Sequence, residues 1–274
     1  ARRNHTDVVK ALLKDRHALN LDINAPAGPK GTTAVQVAVL SGHVSVVTCL
    51  LEAGASITPL PDGSSLLHAA IRAQNDAVAS ALVALRAKES GCGVDAGEGC
   101  TALVHAVRQK LAGTVGALVE SGEAHASWAD ADETTALHVA CRIGDEAMVS
   151  SLLSDRSAPL NKQNIHGYTP LYTAAALNHA PVLKLLLQQE KVKREVPDKQ
   201  GWTPLHVSAH KGHVEVVQLL LEGRARVKVK NQGLTPVDLA ATPEIRDLLL
   251  SYAGGEKGGK KGAGGTGASP EPGG

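Results

Sequence analysis

No phenylalanine occurs anywhere in the 274 residues, and the aromatic side chains are Trp128, Trp202, Tyr168, Tyr172 and Tyr252 alone. Any core must then come from Leu, Val, Ala and Ile, which excludes folds anchored by large rings and an aromatic platform for stacking single-stranded nucleic acid. Charge of one sign is missing too. Lys and Arg number 28 against 27 Asp and Glu, a formal net charge of +1, so a global attraction to DNA, RNA or anionic membrane is excluded and any charge logic is local. The four cysteines, Cys49, Cys92, Cys100 and Cys141, have neither CxxC spacing nor the density of a disulfide scaffold. That usage suits a reducing compartment, the cytoplasm or the nucleus. No run approaches the roughly 20 apolar residues that span a bilayer, and Ala1-Arg2-Arg3-Asn4-His5 opens no signal-peptide pattern. The chain reads as soluble, with 43% hydrophobic residues to fill a core.

What the sequence does have is a repeat. Thr169-Pro170-Leu171 and Thr203-Pro204-Leu205-His206 are its best copies, with weaker ones at Thr33, Ser65, Thr101, Thr135 and Thr235. These Thr/Ser positions are separated by 32, 36, 34, 34, 34 and 32 residues. Each copy predicts a helical hairpin: the hydroxyl caps a first short helix, and Pro suits its first position, where the missing N–H costs nothing. A pair such as Gly42-His43, Asn178-His179 or Gly212-His213 ends that helix, and a second amphipathic helix follows. In Val214–Leu221 the residues Val217, Leu220 and Leu221 form one apolar stripe, which a lone hairpin leaves uncovered and a stacked neighbour buries. Gly stands two residues before the Thr/Ser at Gly31, Gly63, Gly99, Gly167, Gly201 and Gly233, as turn chemistry requires. Glu133 takes that place in one copy, which predicts a strained, remodelled or loosened turn beside Trp128.

The Thr-Pro-Leu-His motif, the spacing near 33 residues and the Leu-rich second helix resemble ankyrin repeats. The resemblance covers about Asn4 to Tyr252. It implies an all-α ankyrin-repeat solenoid of stacked helix-turn-helix units, with β-turn fingers along one edge and a concave groove that usually binds other proteins. The boundaries follow: an ankyrin-repeat domain over 1–252, with a half repeat at 1–24 and repeats starting near 31, 63, 99, 133, 167, 201 and 233. The stretch Asn4 to Leu13 aligns with Gly42 to Leu51, so the chain is expected to begin mid-unit, as a fragment of something longer. The unit from Thr235 is shortened and charged, like a C-terminal capping repeat. Residues 253–274, rich in Gly, Lys and Pro, contain no core formers and predict a disordered tail.

Catalytic signatures are wanting: HExxH, GxSxG, Walker and kinase patterns do not occur. The nearest approach to a phosphate loop, Gly91 to Gly97, lacks both a preceding strand and the GxGxxG spacing, and reads as an extended finger. Cys92 and Cys100 share that link without an adjacent base. Of the twelve histidines, His68, His138 and His206 fill the motif position, and His5, His43, His179 and His213 follow the first helix. His206, His210 and His213 have helix-compatible spacing for a metal, but His213 belongs to the next helix, so no metal site, cofactor or small-molecule substrate is expected. Asn4-His5-Thr6 is a glycosylation sequon without secretory context. Asn24 and Asn161 stand where the resemblance places a finger Asn on which asparaginyl hydroxylases act in the family; a plain turn-stabilising Asn is the alternative.

In ankyrin-like stacks the two residues before the end of the first helix face the groove. That position holds Arg72, Arg108 and Arg142 in three consecutive units, and His210 and Lys211 further on. The Arg ladder suits an acidic or phosphorylated segment; equally, the three are solvated arginines paired with finger acids such as Asp62, Asp95, Asp130 and Asp132. Tyr168 and Trp202, between turn Gly and Thr in adjacent units, are candidate anchors for a partner, or rings that merely cover helix ends. Residues 184–230 carry ten basic against five acidic residues, which gives only salt-sensitive contact with nucleic acid, so that partner is disfavoured. The expected function is a monomeric, non-enzymatic protein-interaction scaffold. The alternative is a targeting or regulatory arm of a larger enzyme or channel whose functional domain lies upstream of residue 1.

Overall fold

The computed structural model describes residues 5–16, 18–26, 31–86, 102–122 and 129–254. A first helix, α1 (Thr6–Lys14), is followed by six consecutive pairs: α2 (Ala34–Leu40) with α3 (Val44–Glu52), α4 (Leu66–Arg72) with α5 (Asp76–Arg86), α6 (Ala102–Arg108) with α7 (Ala112–Ser121), α8 (Ala136–Ile143) with α9 (Glu146–Ser154), α10 (Pro170–Ala176) with α11 (Ala180–Leu187), and α12 (Pro204–Lys211) with α13 (Val214–Glu222). Helix α14 (Pro243–Ala253) closes the series. Among the described residues no strand forms; isolated bridges join Ala129 to Thr135 and Asn231 to Leu234. The short helices α2, α4, α6, α8, α10 and α12 pack one on the next, and the longer α1, α3, α5, α7, α9, α11, α13 and α14 make a second row behind them. This is the all-α ankyrin-like solenoid that the resemblance implies.

Five of the seven expected caps are in place; Thr101 lies outside the described residues, and Thr235 heads a turn instead of a helix. Thr33, Ser65, Thr135, Thr169 and Thr203 each accept the N–H three residues on, satisfying a donor that the first turn leaves free. Gln36, His138 and His206 return the bond to the cap's own N–H. The first helices end in a left-handed residue: Gly42, Gly144 and Gly212 where Gly is available, and Gln74, Lys110 and Asn178 where it is not. Glu133 adopts φ +55°, in the same left-handed region as Gly167 at +81° and Gly201 at +85°. Of the three expectations for that turn, strain is the one realised, for an L side chain there crowds its own backbone.

Between the rows lies a continuous aliphatic core. Ile71, Leu103, Leu137, Leu171 and Leu205 from the short helices meet Leu82, Leu118, Leu152, Leu183 and Leu220 from the long ones, all essentially without solvent exposure. Each such side chain contributes about 2 kcal/mol. The stripe Val217, Leu220 and Leu221 is buried as its spacing predicts. Units are also joined by polar bonds. His179 Nε2 lies 3.2 Å from the carbonyl oxygen of Arg142, and His213 Nε2 lies 3.4 Å from that of Ala176. These histidines sit at the N-cap of α11 and α13 yet make no side-chain cap there; they reach back one unit instead.

The last unit differs from the others. Pro236–Leu239 forms a turn in place of a short helix, stabilised by Thr235 Oγ1 donating to Asp238 at 2.6 Å. Helix α14 reaches Ala253, with Gly254 as its cap. The remaining tail, the Gly91–Gly97 loop with Cys92 and Cys100, Gly99, Asp95 and Trp128 lie outside the described residues.

Candidate functional site

The end of each short helix presents one residue in the same register: Leu40, Arg72, Arg108, Arg142, Ala176 and His210. Leu40, the three arginines and His210 are exposed, and Ala176 is half-buried. The register read from sequence is therefore a row across the stack, and its members have different surroundings.

Arg108 is held within the molecule. Its Nη2 lies 2.6 Å from Oδ2 of Asp130 in the next finger, and that carboxylate is only 6% exposed. Asp130 is itself fixed, because Oδ1 accepts the N–H groups of Asp132 at 3.0 Å and Thr134 at 2.8 Å. Arg72 lies close enough to Asp62 for its positive charge to add to the Ser64 side-chain and backbone hydrogen bonds that hold that carboxyl below its usual range. Arg142 differs from both. Among the described residues its guanidinium makes no hydrogen bond or ion pair, although its carbonyl faces His179.

The reason lies one finger on. The residue 34 positions after Asp130 is Asn164, which repeats the same turn: its Oδ1 accepts the N–H groups of His166 and Tyr168, both at 3.0 Å. An amide serves that turn as well as a carboxylate does, but it carries no charge for Arg142. In the following unit the equivalent residue, Asp198, again accepts two backbone N–H groups, from Gln200 and Trp202. Its Oδ2 takes the hydroxyl of Tyr172 at 2.7 Å. Burial, with the hydrogen bond and charge of Asp198 behind it, pushes the Tyr172 phenol well up, so it stays a neutral donor.

The aromatic candidates are both half-buried. Tyr168 lies flat on Tyr172, with centroids 4.6 Å apart and planes 5° apart, and His166 tilts against it at 5.5 Å. Trp202 meets His210 edge-on at 5.2 Å. Lys211 reaches back one unit, its Nζ donating to the Ala176 carbonyl at 2.8 Å. Two exposed apolar side chains stand near in sequence, Ile165 at the finger and Leu177 beside Ala176. Sequence spacing places Ala176 and Leu177 in the groove-facing register but missed Asn164 and His166, though the Asp, Asn, Asp series five residues before each Thr was there to be seen.

The remaining candidates have structural employment. His206 is buried, His210 faces Trp202 and His213 turns to Ala176, so the three imidazoles go to different partners. Burial pushes the Cys141 thiol far up and removes it from nucleophilic chemistry. Asn24 Oδ1 accepts the N–H of Ser56 at 2.8 Å, and Asn161 bonds both Lys191 and Lys193, so each side chain ties its finger to the next. In the basic stretch Glu195 engages Arg226 through its N–H and, at 3.4 Å, its Nε.

A family model described as ankyrin repeats, in three copies, matches residues 1–60, 115–195 and 190–260. Helices α4, α5 and α6, which lie between the matched stretches, occupy the same two rows as the rest. Among solved structures, the ankyrin repeat domain of Bcl-3, a member of the IkappaB protein family, superposes with a TM-score of 0.68 at 25% identity, over 81% of this chain and 100% of that one. The human ASB11 ankyrin repeat domain gives 0.61 at 24% identity, over 81% and 98%. No curated protein matches the chain.

Proposed function

The chain belongs to the ankyrin-repeat family, and from that premise we propose that it is a non-enzymatic scaffold which grips a partner protein through the row of short-helix ends and the adjoining fingers. Ankyrin-repeat domains are generally protein–protein interaction modules. The observation that carries the reading is the preformed surface. Every described short helix stacks on the next, and fingers are bonded to fingers, as by Ile165 N–H to Asp132 O at 3.0 Å and Lys199 N–H to His166 O at 3.2 Å. A surface held this way loses little entropy when it binds. Arg72, Arg108, Arg142, Tyr168, Trp202, His210 and Lys211 are its contact residues, and an acidic segment is the favoured ligand. A monomer in the cytoplasm or nucleus completes the reading.

The test compares proteins co-purified by the wild-type chain with those held by a variant in which Arg72, Arg108 and Arg142 are all changed to Glu, and by a Tyr168→Ala, Trp202→Ala variant. Loss of a specific partner with helical circular dichroism intact supports the groove. Undiminished recovery in both variants removes it.

A further inference from the structure

Within the scaffold reading, on which this inference rests, one place in the row is chemically incomplete. At the second of two successive registers the molecule supplies the cation and withholds the anion. Arg108 is neutralised by Asp130 at 2.6 Å, whereas at the register of Arg142 the equivalent turn is built by Asn164, and the Arg142 guanidinium has no hydrogen bond or ion pair among the described residues. Next along, the row drops to the methyl group of Ala176, between the long side chains of Arg142 and His210. The Lys211 ammonium is pinned at the far side of that gap by the Ala176 carbonyl, and it keeps two further N–H donors. The nearby apolar surface is the Tyr168 ring, stacked on Tyr172, and Leu177, which is 43% exposed.

We propose that this gap is the anchor point for a protein segment bearing an Asp or Glu side chain, which pairs with Arg142 in the place that Asp130 fills for Arg108, while a neighbouring apolar side chain seats over Ala176 against Tyr168. A carboxylate is the ligand because that group already satisfies the same guanidinium register one unit earlier, and Arg binds it through a planar fork. Successive units stand about 10 Å apart at ordinary helix packing, and a segment in the polyproline II conformation advances about 3.1 Å per residue with three residues per turn, which returns a side chain to the same face after about that distance. The acidic and apolar side chains are therefore about three residues apart.

The decisive variants alter charge without altering the turn. Asn164→Asp gives Arg142 an internal carboxylate and keeps the acceptor for the His166 and Tyr168 amides, as Asp130 does for its own turn. Asp130→Asn does the reverse and removes the carboxylate that faces Arg108. Random dodecapeptides displayed on phage are selected on the full chain. The best acidic peptide, its Asn/Gln counterpart and its phosphoserine counterpart are then titrated against wild type, Asn164→Asp, Arg142→Gln, Ala176→Arg and Asp130→Asn. The acidic peptide is expected to weaken about tenfold on Asn164→Asp and Arg142→Gln, a loss of one charge-assisted pair, and to hold or gain on Asp130→Asn. Ala176→Arg fills the seat of the apolar side chain, so removing that side chain from the peptide should cost affinity on wild type and not on this variant. The amide peptide binds wild type and Asn164→Asp alike. Acid-dependent binding that survives Asn164→Asp and Arg142→Gln overturns the anchor and leaves the scaffold reading standing. A phosphoserine peptide that outcompetes the carboxylate overturns the choice of ligand. Failure to enrich any peptide on wild type counts against both readings.

Discussion

His138 Nε2 stands 2.8 Å from the carbonyl oxygen of Tyr168, one unit further along the stack. On the other side of the ring, Nδ1 faces the N–H of Thr135 at 3.2 Å and its hydroxyl at 2.8 Å. The Thr135 N–H is a donor, so Nδ1 must accept and the ring proton belongs on Nε2, where it serves the Tyr168 carbonyl. One neutral imidazole thus closes a cap and joins two units. Thr203 and His206 form the same box, and burial depresses the basicity of both rings.

Stability should accordingly fall in mild acid. Unfolded His titrates near 6.5, and a folded value below that means the unfolded chain binds more protons in the window between the two. The contribution of His138 and His206 is full above about pH 6.5 and is lost as pH drops towards the folded values, below which the loss levels off. Thermal melts from pH 8 to 5 measure it. His138→Gln is expected to reduce the slope while largely preserving the fold at pH 8, since Gln36 already fills the equivalent box with Thr33 and donates to Pro59 at 2.7 Å. An unchanged slope would refute the assignment.

Glu133→Gly should stabilise the chain. At φ +55° the residue holds a left-handed turn whose N–H bonds the Asp130 carbonyl at 2.9 Å, and relief of that conformation is worth about 1 kcal/mol. Gly167→Ala, at the same place one unit on, should do the opposite. There φ is +81° and an added Cβ would stand 2.6 Å from the Lys199 backbone nitrogen. Denaturant midpoints shifting in the same direction for both would contradict the argument.

Legibility in the sequence followed the range of the interactions. Caps, turns and the buried stripe depend on residues within a few positions of each other, so Thr203-Pro204 and Val217 with Leu220 announce their roles. The stack could be read because it is periodic. Pairing across units is another matter: Arg72, Arg108 and Arg142 look equivalent as a register, and only the identity of the residue met in the next finger, Asp130 or Asn164, separates them. The bonds of His138 to the Tyr168 carbonyl and of Lys211 to the Ala176 carbonyl likewise join residues 30 and 35 positions apart, which no local pattern encodes.

Asn161 should matter to finger order more than to global stability. Its Nδ2 donates to the Lys191 carbonyl and its Oδ1 accepts the Lys193 N–H at 2.7 Å. Asn161→Ala removes both, a cost of about 1–2 kcal/mol at this partly exposed place. Hydrogen exchange should show faster loss of the Lys193 amide proton, with the amides of α10 and α12 unaffected. Asn161→Asp keeps the acceptor, as Glu195 does for the Arg226 N–H at 3.1 Å, and should protect that amide; equal exchange in the two variants would argue against the bond.

The last prediction concerns a cap borrowed from a neighbour. Leu111, at the N-cap of α7, has no polar side chain to offer, and Asp76 from the preceding unit takes over. Its Oδ2 accepts the Gly113 N–H at 2.9 Å, and its Oδ1 accepts the N–H and hydroxyl of Thr114, both at 2.7 Å. Burial acts to raise this carboxyl, and the bonds from Thr114 and Gly113 outweigh it and hold it below the usual value. Its support is therefore present above about pH 4 and lost as pH falls through the folded value. Asp76→Ala should cost about 1–2 kcal/mol. The absence of a side chain at Gly113 is part of the same device, because a Cβ there would lie 2.9 Å from Asp76 Oδ2. Gly113→Ala alone should destabilise, despite a helix-propensity advantage of about 1 kcal/mol for Ala. In the Asp76→Ala background the obstruction is gone and the advantage returns, so the same substitution should stabilise. A double-mutant cycle by urea unfolding reads that reversal of sign, and a Gly113→Ala effect of the same sign in both backgrounds would show that the two residues act independently.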